Sequence, residues 1–255
     1  MKAVLCEELG PPETLQLKEI EKPRASKGQV LIKVAACAVN FPDTLIIEGL
    51  YQFRPPMPFS PGAEISGIIE EVGEGVEGFS TGDRVVAGVT WGGMAEYALA
   101  EADFTFHLPG RVSAVAGAAT LMTFGTSLHA LLDRAQLKYS DTLLVLGASG
   151  GVGTSAIQIG KALGAKVIAA ASSKEKLDWC KEQGADVVIN YETESDLKNR
   201  LKELTDGKGV DVIYDPVGGK FSEPAFRAIA SFQTGGSCHS VDRYERQNSI
   251  RENSH

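Results

Sequence analysis

Residues 147–153 have the composition of a turn that binds a phosphate group. They read Gly-Ala-Ser-Gly-Gly-Val-Gly, between an apolar strand-like run ending at Leu146 and a helix-like run. Ala148, Gly150 and Gly153 form an A-x-G-x-x-G pattern, a variant of the dinucleotide-binding fingerprint. Gly150 would let the backbone approach a pyrophosphate, Gly153 would let the helix pack on the strand, and helix N–H groups would face the anion. The pattern predicts a dinucleotide site; the alternative is a tight strand–helix turn without a ligand.

The end of the next strand bears on the choice between NADH and NADPH. An NAD site usually carries Asp or Glu about 20 residues after the glycines, where the carboxylate binds the ribose 2′-hydroxyl. Here residues 170–176 have no acid at the strand end and continue with Ser172, Ser173 and two lysines, one of them Lys176. These groups are suitable donors to a 2′-phosphate, and Tyr191 after the third strand could reach the same pocket. The cluster predicts NADPH, although each lysine alone could equally belong to a solvated helix start.

The sequence lacks an evident zinc site. Tetrahedral zinc needs three or four sulfur, nitrogen or oxygen ligands from the protein. The stretch 35–43 offers one thiol, Cys37, and Ala63 stands where a histidine ligand would be wanted. The four histidines show no ligand spacing. We therefore expect no metal, and hydride delivery to an already polarised acceptor, a quinone or an α,β-unsaturated carbonyl.

Two domains must position these groups. Short β-type runs separated by glycine turns predict a compact β-rich domain over residues 1–118. Apolar strands alternating with helices over residues 119–230 predict an α/β domain with a doubly wound parallel sheet of the Rossmann type. The elements predicted there are a buried helix over 121–133, strands over 141–146, 166–171, 187–189 and 210–214, a helix that follows the glycine turn and ends at about residue 163, and helices over 174–183 and 196–204.

Composition excludes several classes of protein. The chain has 255 residues and a formal net charge of −8, so no nucleic-acid partner is expected. No apolar run approaches the roughly 18–20 residues of a membrane span, and no signal-peptide core follows the first methionine. The four cysteines, without a CxxC pair, are typical of a reducing compartment, so we expect a cytoplasmic protein.

The motifs of residues 1–230 occur together in one known family. They include Asn-Phe-Pro-Asp at 40–43, Pro-Gly-Ala-Glu at 61–64 and Asp-Pro-Val-Gly-Gly at 215–219. The other matching stretches are 30–34, 49–51, 82–85, 92–97, the turn at 147–153, 172–177, 184–186 and 190–191. With these motifs the chain resembles the zinc-free quinone oxidoreductases of the medium-chain dehydrogenase/reductase superfamily, the ζ-crystallin-like group.

The resemblance implies a GroES-like N-terminal catalytic domain, a Rossmann domain, an active site in the cleft between them and usually a homodimer. The residues to which it gives roles are Asn40 and Thr126 near the nicotinamide and substrate, Tyr51 at the substrate mouth, Ser149, Gly150, Gly151 and Val152 at the pyrophosphate, Ser172, Lys176 and Tyr191 at the 2′-phosphate, and Val217 beside the adenosine. Structural alternatives stay open: Asn40 as a turn residue, Thr126 bonded to its own helix backbone, and Tyr51 as a packed surface ring.

The resemblance also implies a reaction. Hydride would pass from C4 of the nicotinamide to the acceptor carbon, Asn40 or Thr126 would hydrogen-bond the acceptor oxygen, and solvent could supply the proton. Acryloyl-CoA reductases look similar, so an enoyl thioester is a second candidate acceptor. A nucleotide-binding protein without turnover is the third alternative.

Residues 231–255 depart from the family pattern. An apolar strand is expected after Ala230, but the chain continues with polar residues that predict a disordered, non-family tail. A +1 reading frame could restore Val-Leu-Val-Ile over residues 236–240, so we hypothesise a frameshift after about residue 231. The Rossmann sheet would then be incomplete at its C-terminus, with an exposed edge and without the strands that help build the dimer interface in the family.

Overall fold

The computed structural model describes residues 1–230 and 239–242. The chain divides into two compact units, Met1–Met122 and Thr123–His255. The sequence predicted a domain boundary nearby, after residue 118. Within the described residues, no helix is long and apolar enough to cross a membrane.

The first unit is built on antiparallel strands. β1 and β2 form a two-stranded sheet, and the other strands form a five-stranded sheet in the order β6-β3-β4-β5-β7. The elements are β1 (Lys2–Leu5), β2 (Gln16–Glu19), β3 (Gln29–Cys37), α1 (Phe41–Ile47), β4 (Glu64–Val72), β5 (Arg84–Gly88), β6 (Tyr97–Glu101), β7 (Thr105–His107) and α2 (Ala114–Ala118), with 3-10 turns at Pro12–Thr14 and Ala102–Phe104.

The larger sheet of this unit brings two strands unusually close at one glycine. Its core consists of β-branched and small side chains, including Val30, Ile32, Ile65 and Val85. A Cβ at Gly67 on β4 would lie 2.1 Å from the backbone oxygen of Lys33 on β3, so this position requires glycine. β4 is thereby held tightly against β3, and its first residue, a glutamate, is fixed at the edge of the core.

The second unit is a Rossmann domain with strand order β10-β9-β8-β11-β12, all parallel. This order, third-second-first-fourth-fifth in chain sequence, is that of a doubly wound nucleotide-binding sheet. Its elements are α3 (Leu121–Leu128), β8 (Thr142–Leu146), α4 (Gly151–Ala162), β9 (Lys166–Ala171), α5 (Lys174–Glu182), β10 (Val187–Asn190), α6 (Leu197–Glu203), β11 (Val212–Asp215), α7 (Ser222–Phe226) and β12 (His239–Asp242), with a 3-10 turn at Gly219–Phe221. The predicted fold class is confirmed.

Both faces of this sheet are buried, as the continuous apolar strands predicted. Leu143 and Val145 of β8 belong to one hydrophobic cluster, with Ile157 of α4. Leu144 and Leu146 belong to another cluster. Because successive residues of a strand point to opposite faces, a strand covered on both sides must be apolar throughout.

The predicted buried helix over 121–133 is wrong in two respects. α3 ends at Leu128 and is followed by a π-helix over His129–Arg134. Leu128 and Leu132 are exposed, and only part of the segment faces the core. Apolar residues lie around the whole circumference of this segment, which suggested a fully buried helix. The periodicity of the sequence cannot show that one apolar side of such a helix is exposed.

The prediction that the whole tail is disordered is also wrong at one place. β12 pairs in parallel with β11, with Val212 opposite His239 and Asp215 opposite Asp242. An uncovered edge strand presents a row of unpaired N–H and C=O groups, and backbone pairing satisfies them whatever the side chains are. Residues 231–238 and 243–255, for which disorder was also predicted, lie outside the described residues.

Candidate functional site

The turn after β8 is shaped by two glycines, Gly147 and Gly153, whose surroundings leave no room for a Cβ. Gly147 has φ +58°, and a Cβ there would lie 2.5 Å from Cγ2 of Val217. A Cβ at Gly153 would lie 2.5 Å from the oxygen of Gly147 and 2.7 Å from the Cα of Ala148. The helix therefore starts in direct contact with the strand end, and Val217 lies beside the turn. Its predicted role at the adenosine stays a prediction.

The turn delivers the N-terminus of α4 to the surface. Gly150 occupies the N-cap position and, among the described residues, no side chain accepts from the first helical N–H groups there. Gly150 and Gly151 are exposed and Val152 is half-buried. Free N–H groups at the start of a twelve-residue helix attract an anion. This arrangement can hold a pyrophosphate.

Ala148, the first residue of the fingerprint, is buried, whereas Gly150 in the same turn is exposed. Its side chain is fully buried in the core, and its N–H donates to Ala170 O at 3.1 Å. It therefore packs the strand end, while the half-buried Ser149 lies on a groove of about 890 Å³ that also borders Lys176 and Trp179.

Three residues predicted at the 2′-phosphate form one hydrogen-bonded cluster. Nζ of Lys176 donates to Oγ of Ser172 at 3.1 Å, and Ser172 is also hydrogen-bonded to the Tyr191 side chain. Burial raises the pKa of Tyr191, Glu192 adds to the shift, and the bond to Ser172 opposes it. The Tyr191 ring packs on Phe221, with centroids 4.2 Å apart. We call Ser172, Lys176 and Tyr191 the phosphate cluster.

Two neighbouring residues have other partners. Ser173 caps α5, because its side chain accepts from the Lys176 N–H at 3.3 Å. Nζ of Lys174 binds Asp178 at 2.6 Å, four residues along the helix. Ser173 therefore orients the backbone that carries Lys176, and Lys174 lies outside the phosphate cluster.

A buried hydroxyl network, which the sequence did not reveal, supports the start of α4. Ser127 Oγ lies 2.9 Å from the Val152 oxygen, 2.8 Å from Ser155 Oγ and 3.1 Å from the Tyr214 hydroxyl. Burial raises the pKa of Tyr214, and the bond to Ser127 opposes this shift. The adjacent residue, Thr126, is exposed on α3. A serine in an apolar helix is the only sequence signal, and it does not identify its partners.

In the first unit, Asn40 lies over two buried carboxyl groups. Its backbone N–H donates to Asp43 at 2.7 Å, and its side-chain Nδ2 lies 3.3 Å from Oε2 of Glu64. Asp43 also accepts from the Gly62 N–H at 3.1 Å, and Glu64 accepts from the Leu121 N–H. Asn40 immediately precedes α1, so its position also agrees in part with the alternative that it is a turn residue. The spacing of Asn40 and Asp43 resembles a capping box and could have indicated one of these contacts.

Glu64 fixes the orientation of the Asn40 amide. An ionised carboxylate only accepts hydrogen bonds, so the Asn40 group facing it must be NH₂. The second N–H of that amide is then directed to a position other than Glu64. Burial raises the pKa of Glu64 above its usual 4.5, and the Leu121 N–H and the Asn40 amide oppose the shift. Burial likewise raises the pKa of Asp43.

The raised pKa of Glu64 predicts a pH-dependent stability. A carboxyl group with a raised folded-state pKa contributes most when protonated, so its contribution is complete below pH 4.5 and is lost as pH rises through the folded value. Relative to Glu64→Gln, the wild-type free energy of unfolding should fall over this window by about 1.4 kcal/mol per unit of pKa elevation. Urea denaturation from pH 4 to 8 measures it.

Glu70 on the same strand provides the control. It is exposed, and a hydrogen bond from Lys22 lowers its pKa. The difference between wild type and Glu70→Gln should therefore stay flat above pH 4.5. A constant difference between wild type and Glu64→Gln over the same range would contradict the assignment.

Cys37 lies in the same region but is a poor nucleophile. Burial raises the pKa of its thiol to about 12, and the charges of Asp43 and Glu64 add to the shift. Since the thiolate is the reactive form, Cys37 stays unreactive at neutral pH. Within residues 1–230, no three histidine, cysteine or acidic side chains are grouped as metal ligands.

Tyr51 lies on a groove of about 760 Å³ in the first unit. Other residues of this groove are Pro42, Ile46, Trp91 and Met122. The Tyr51 ring is half-buried and packs on the cluster that contains Ile46 and Phe59. The predictions of a substrate-mouth role and of a packed surface ring are therefore both compatible with its surroundings.

Both units match known families. Residues 26–110 match the alcohol dehydrogenase GroES-like domain, and residues 151–241 match the domain described as zinc-binding dehydrogenase. The quinone oxidoreductase of Rattus norvegicus is 40% identical over 222 residues, which cover 86% of this chain and 67% of that protein. The chain belongs to the zinc-free quinone oxidoreductase family.

Solved structures of quinone oxidoreductases share the fold. The Escherichia coli quinone oxidoreductase complexed with NADPH is 30% identical, with TM-score 0.84, covering 99% of this chain and 86% of that one. A probable oxidoreductase from Mycobacterium abscessus is 34% identical, with TM-score 0.86, covering 99% of this chain and 83% of that one. The predicted family is confirmed.

The family match continues past the predicted start of the tail, and the domain boundaries stay predictions. It extends to residue 241, whereas a non-family tail was predicted from residue 231. The chain spans about two thirds of the length of the curated relatives it matches, 67% for the rat protein and 66% for that of Lama guanicoe. The site roles of Asn40, Tyr51 and Thr126 stay predictions, as does their meeting in one cleft.

Proposed function

We propose that this chain binds NADPH and transfers hydride from it to a quinone or an α,β-unsaturated carbonyl. The observation that carries the proposal is the phosphate cluster: Lys176, Ser172 and Tyr191 lie hydrogen-bonded together after β9, where an NAD site would place an acid. The Escherichia coli relative, whose structure holds NADPH, supports the same cofactor.

The residues of the turn fit a dinucleotide. Gly153 keeps α4 against β8, so the first N–H groups of the helix, at Gly151 and Val152, can face a pyrophosphate. Val217 and Gly218 are held beside the turn, because their N–H groups donate to Asp215 at 2.9 and 2.8 Å. This fixed loop suits the adenosine side of the cofactor.

When bound, NADPH would supply a hydride from C4 of its nicotinamide, and the acceptor would gain that hydride and one proton with NADP⁺ as the other product. Asn40 or Thr126 donates a hydrogen bond to the acceptor oxygen as negative charge develops there. The exposed hydroxyl of Thr126 and the second N–H of the Asn40 amide are suited to this. Solvent provides the proton, and the chain contributes mainly by positioning.

Titration of the purified chain with NADPH and NADH tests the proposal. We expect enhanced nicotinamide fluorescence on binding and a lower dissociation constant for NADPH. Addition of menadione should then consume NADPH, measured at 340 nm, whereas an enoyl-CoA thioester serves as the comparison acceptor. A folded chain without affinity for NADPH, or with a preference for NADH, would refute the cofactor assignment. Binding without consumption of any acceptor would refute the reaction.

A further inference from the structure

The first turn of α4 lacks the support that most helix starts receive from a side chain. Gly150 at the N-cap has no side chain that could accept from the helix N–H groups, and Gly151 and Gly153 follow it within the first turn. Glycine has more backbone freedom than other residues, so ordering such a helix start costs more entropy. A capping side chain would, however, occupy the N–H groups that a pyrophosphate needs. The turn must therefore be stabilised in another way.

Two serine hydroxyls reach this turn from its carbonyl side. Ser127 Oγ on α3 lies 2.9 Å from the backbone oxygen of Val152, and Ser155 Oγ on α4 lies 3.0 Å from the same oxygen. A carbonyl oxygen has two lone pairs, so it can accept a side-chain hydrogen bond in addition to that of the helix backbone. These contacts use none of the N–H groups at the helix start. The first turn is thereby fixed while its donors stay available to an anion.

The two serines also join α4 to α3 and to the sheet. Ser155 Oγ lies 3.0 Å from the Thr123 oxygen and 2.8 Å from Ser127 Oγ, and the Tyr214 hydroxyl of β11 lies 3.1 Å from Ser127 Oγ. Thr123 and Ser127 are four residues apart, so they lie on the same side of α3. A Cβ at Gly151 would lie 3.0 Å from Cγ2 of Thr123, so α3 packs directly on the start of α4.

The hydroxyl protons of this network can all be used. Tyr214 can donate to Ser127, and Ser127 can donate to the Val152 oxygen. Ser155 can donate to the Thr123 oxygen, so each hydroxyl donates once. The three hydroxyl side chains are buried. Hydrogen bonds are stronger in such surroundings, and removing one partner leaves a buried polar group without a bond. The network therefore favours a single arrangement of α3, α4 and β11.

We propose that Ser127 and Ser155 are positioning residues for the dinucleotide: they hold the first turn of α4 by its carbonyl side, so that its N–H groups are preorganised for the pyrophosphate. The inference rests on the proposed function, since it requires the pyrophosphate to bind at this turn. Both side chains are fully buried, so they act through the backbone. Because NADPH and NADH share the pyrophosphate, loss of either hydroxyl weakens the binding of both cofactors by the same factor.

Calorimetric titration of wild type and Ser127→Ala with three ligands tests the inference. We expect the dissociation constants of NADPH and NADH to rise together by about three- to tenfold, the effect of one lost hydrogen bond. Adenosine 2′-monophosphate carries the 2′-phosphate but no pyrophosphate, so its dissociation constant should stay unchanged. A variant that had lost its structure in general would bind all three ligands more weakly.

Thr205→Val is the matched control. Thr205 is a second buried hydroxyl residue of the same unit, and its Oγ1 lies 2.8 Å from the Leu201 oxygen and 2.9 Å from the Gly209 nitrogen. Its removal should lower stability in urea, as Ser127→Ala does, and leave the three dissociation constants unchanged. Ser155→Ala keeps the bond from Ser127 to the Val152 oxygen. It is the second variant, and it replaces Ser127→Ala if that chain does not fold.

The outcomes separate this inference from the proposed function. If wild type binds both dinucleotides and the serine variants bind them equally well, the positioning role is refuted and the proposed function stands. Weaker binding of adenosine 2′-monophosphate in the serine variants, or equal weakening by Thr205→Val, would also refute it, because the effect would then follow from stability alone. Wild type without affinity for either dinucleotide refutes the cofactor site and the inference together. Binding without turnover of any acceptor refutes the reductase proposal alone.

Discussion

Replacing Lys176 by alanine is expected to weaken NADPH binding roughly 10- to 100-fold while leaving NADH binding unchanged, since one charge-assisted hydrogen bond is worth about 1.5–3 kcal/mol. In the structure Nζ of Lys176 lies 3.1 Å from Ser172 Oγ, at the end of β9. Only the cofactor with a 2′-phosphate offers this ammonium an anionic partner. Isothermal titration calorimetry with both cofactors measures the change.

Lys174→Ala is the matched control for this prediction. Lys174 is on the same helix and borders the same groove, but its ammonium pairs with Asp178 at 2.6 Å and not with a residue of the phosphate cluster. Its removal deletes the same charge and should change NADPH affinity much less. If both variants lose the same NADPH affinity, that affinity depends only on the total positive charge at the start of α5 and not on the position of Lys176. No loss with Lys176→Ala would remove the cluster from the cofactor site.

The second large effect is expected from Gly153→Ala, which should destabilise the Rossmann unit by about 1–3 kcal/mol or more through overpacking. The new Cβ would lie 2.5 Å from the Gly147 oxygen and 2.7 Å from the Ala148 Cα, both backbone atoms that cannot give way cheaply. Separation of α4 from β8 should also weaken NADPH and NADH binding together. Chemical denaturation and cofactor titration measure the two consequences.

Two other glycines provide controls, one for the effect of an added Cβ on stability and one for its effect on cofactor binding. At Gly125 in α3 an added Cβ would meet open space, so Gly125→Ala should stabilise the chain by about 1 kcal/mol through helix propensity. At Gly150 the nearest atom would be 3.4 Å away, so Gly150→Ala should leave stability unchanged but obstruct the pyrophosphate. A Gly153→Ala variant as stable as wild type would contradict the described contact between helix and strand.

The Rossmann unit could be predicted closely because its strands depend on local composition. The run from Lys166 to Ala171 is apolar after its first residue and is bounded by Gly164 and Ser172, and β9 covers that run. The phosphate cluster was predictable for the same reason, since Ser172 and Lys176 lie within one strand end and one helix turn. Tyr191 required the additional assumption that β10 lies beside β9, which the parallel sheet provides.

Other features depend on contacts between distant segments, which a single sequence does not display. Glu64 meets Asn40 across 24 residues, and Ser127 meets Tyr214 across 87. Trp91 could be noticed as an aromatic residue, but its stacking on Phe53 follows from the tertiary fold. β12 was missed because its sequence is polar and its pairing uses the backbone. Propensity therefore predicts strands better than it predicts which polar or aromatic side chains meet.

The internal bonding of the phosphate cluster has a consequence for how sharply the two cofactors are told apart. Its ammonium and hydroxyl groups already form hydrogen bonds with one another and with solvent. Binding of a cofactor without the extra phosphate therefore leaves no buried donor without a partner. A binding site rejects the wrong cofactor strongly when that cofactor leaves buried polar groups of the site without hydrogen-bond partners. A site that only adds an attraction to the right cofactor gives a smaller difference in affinity. Preference for the phosphorylated dinucleotide should therefore shrink as ionic strength rises, because the attraction on which it rests is exposed to screening.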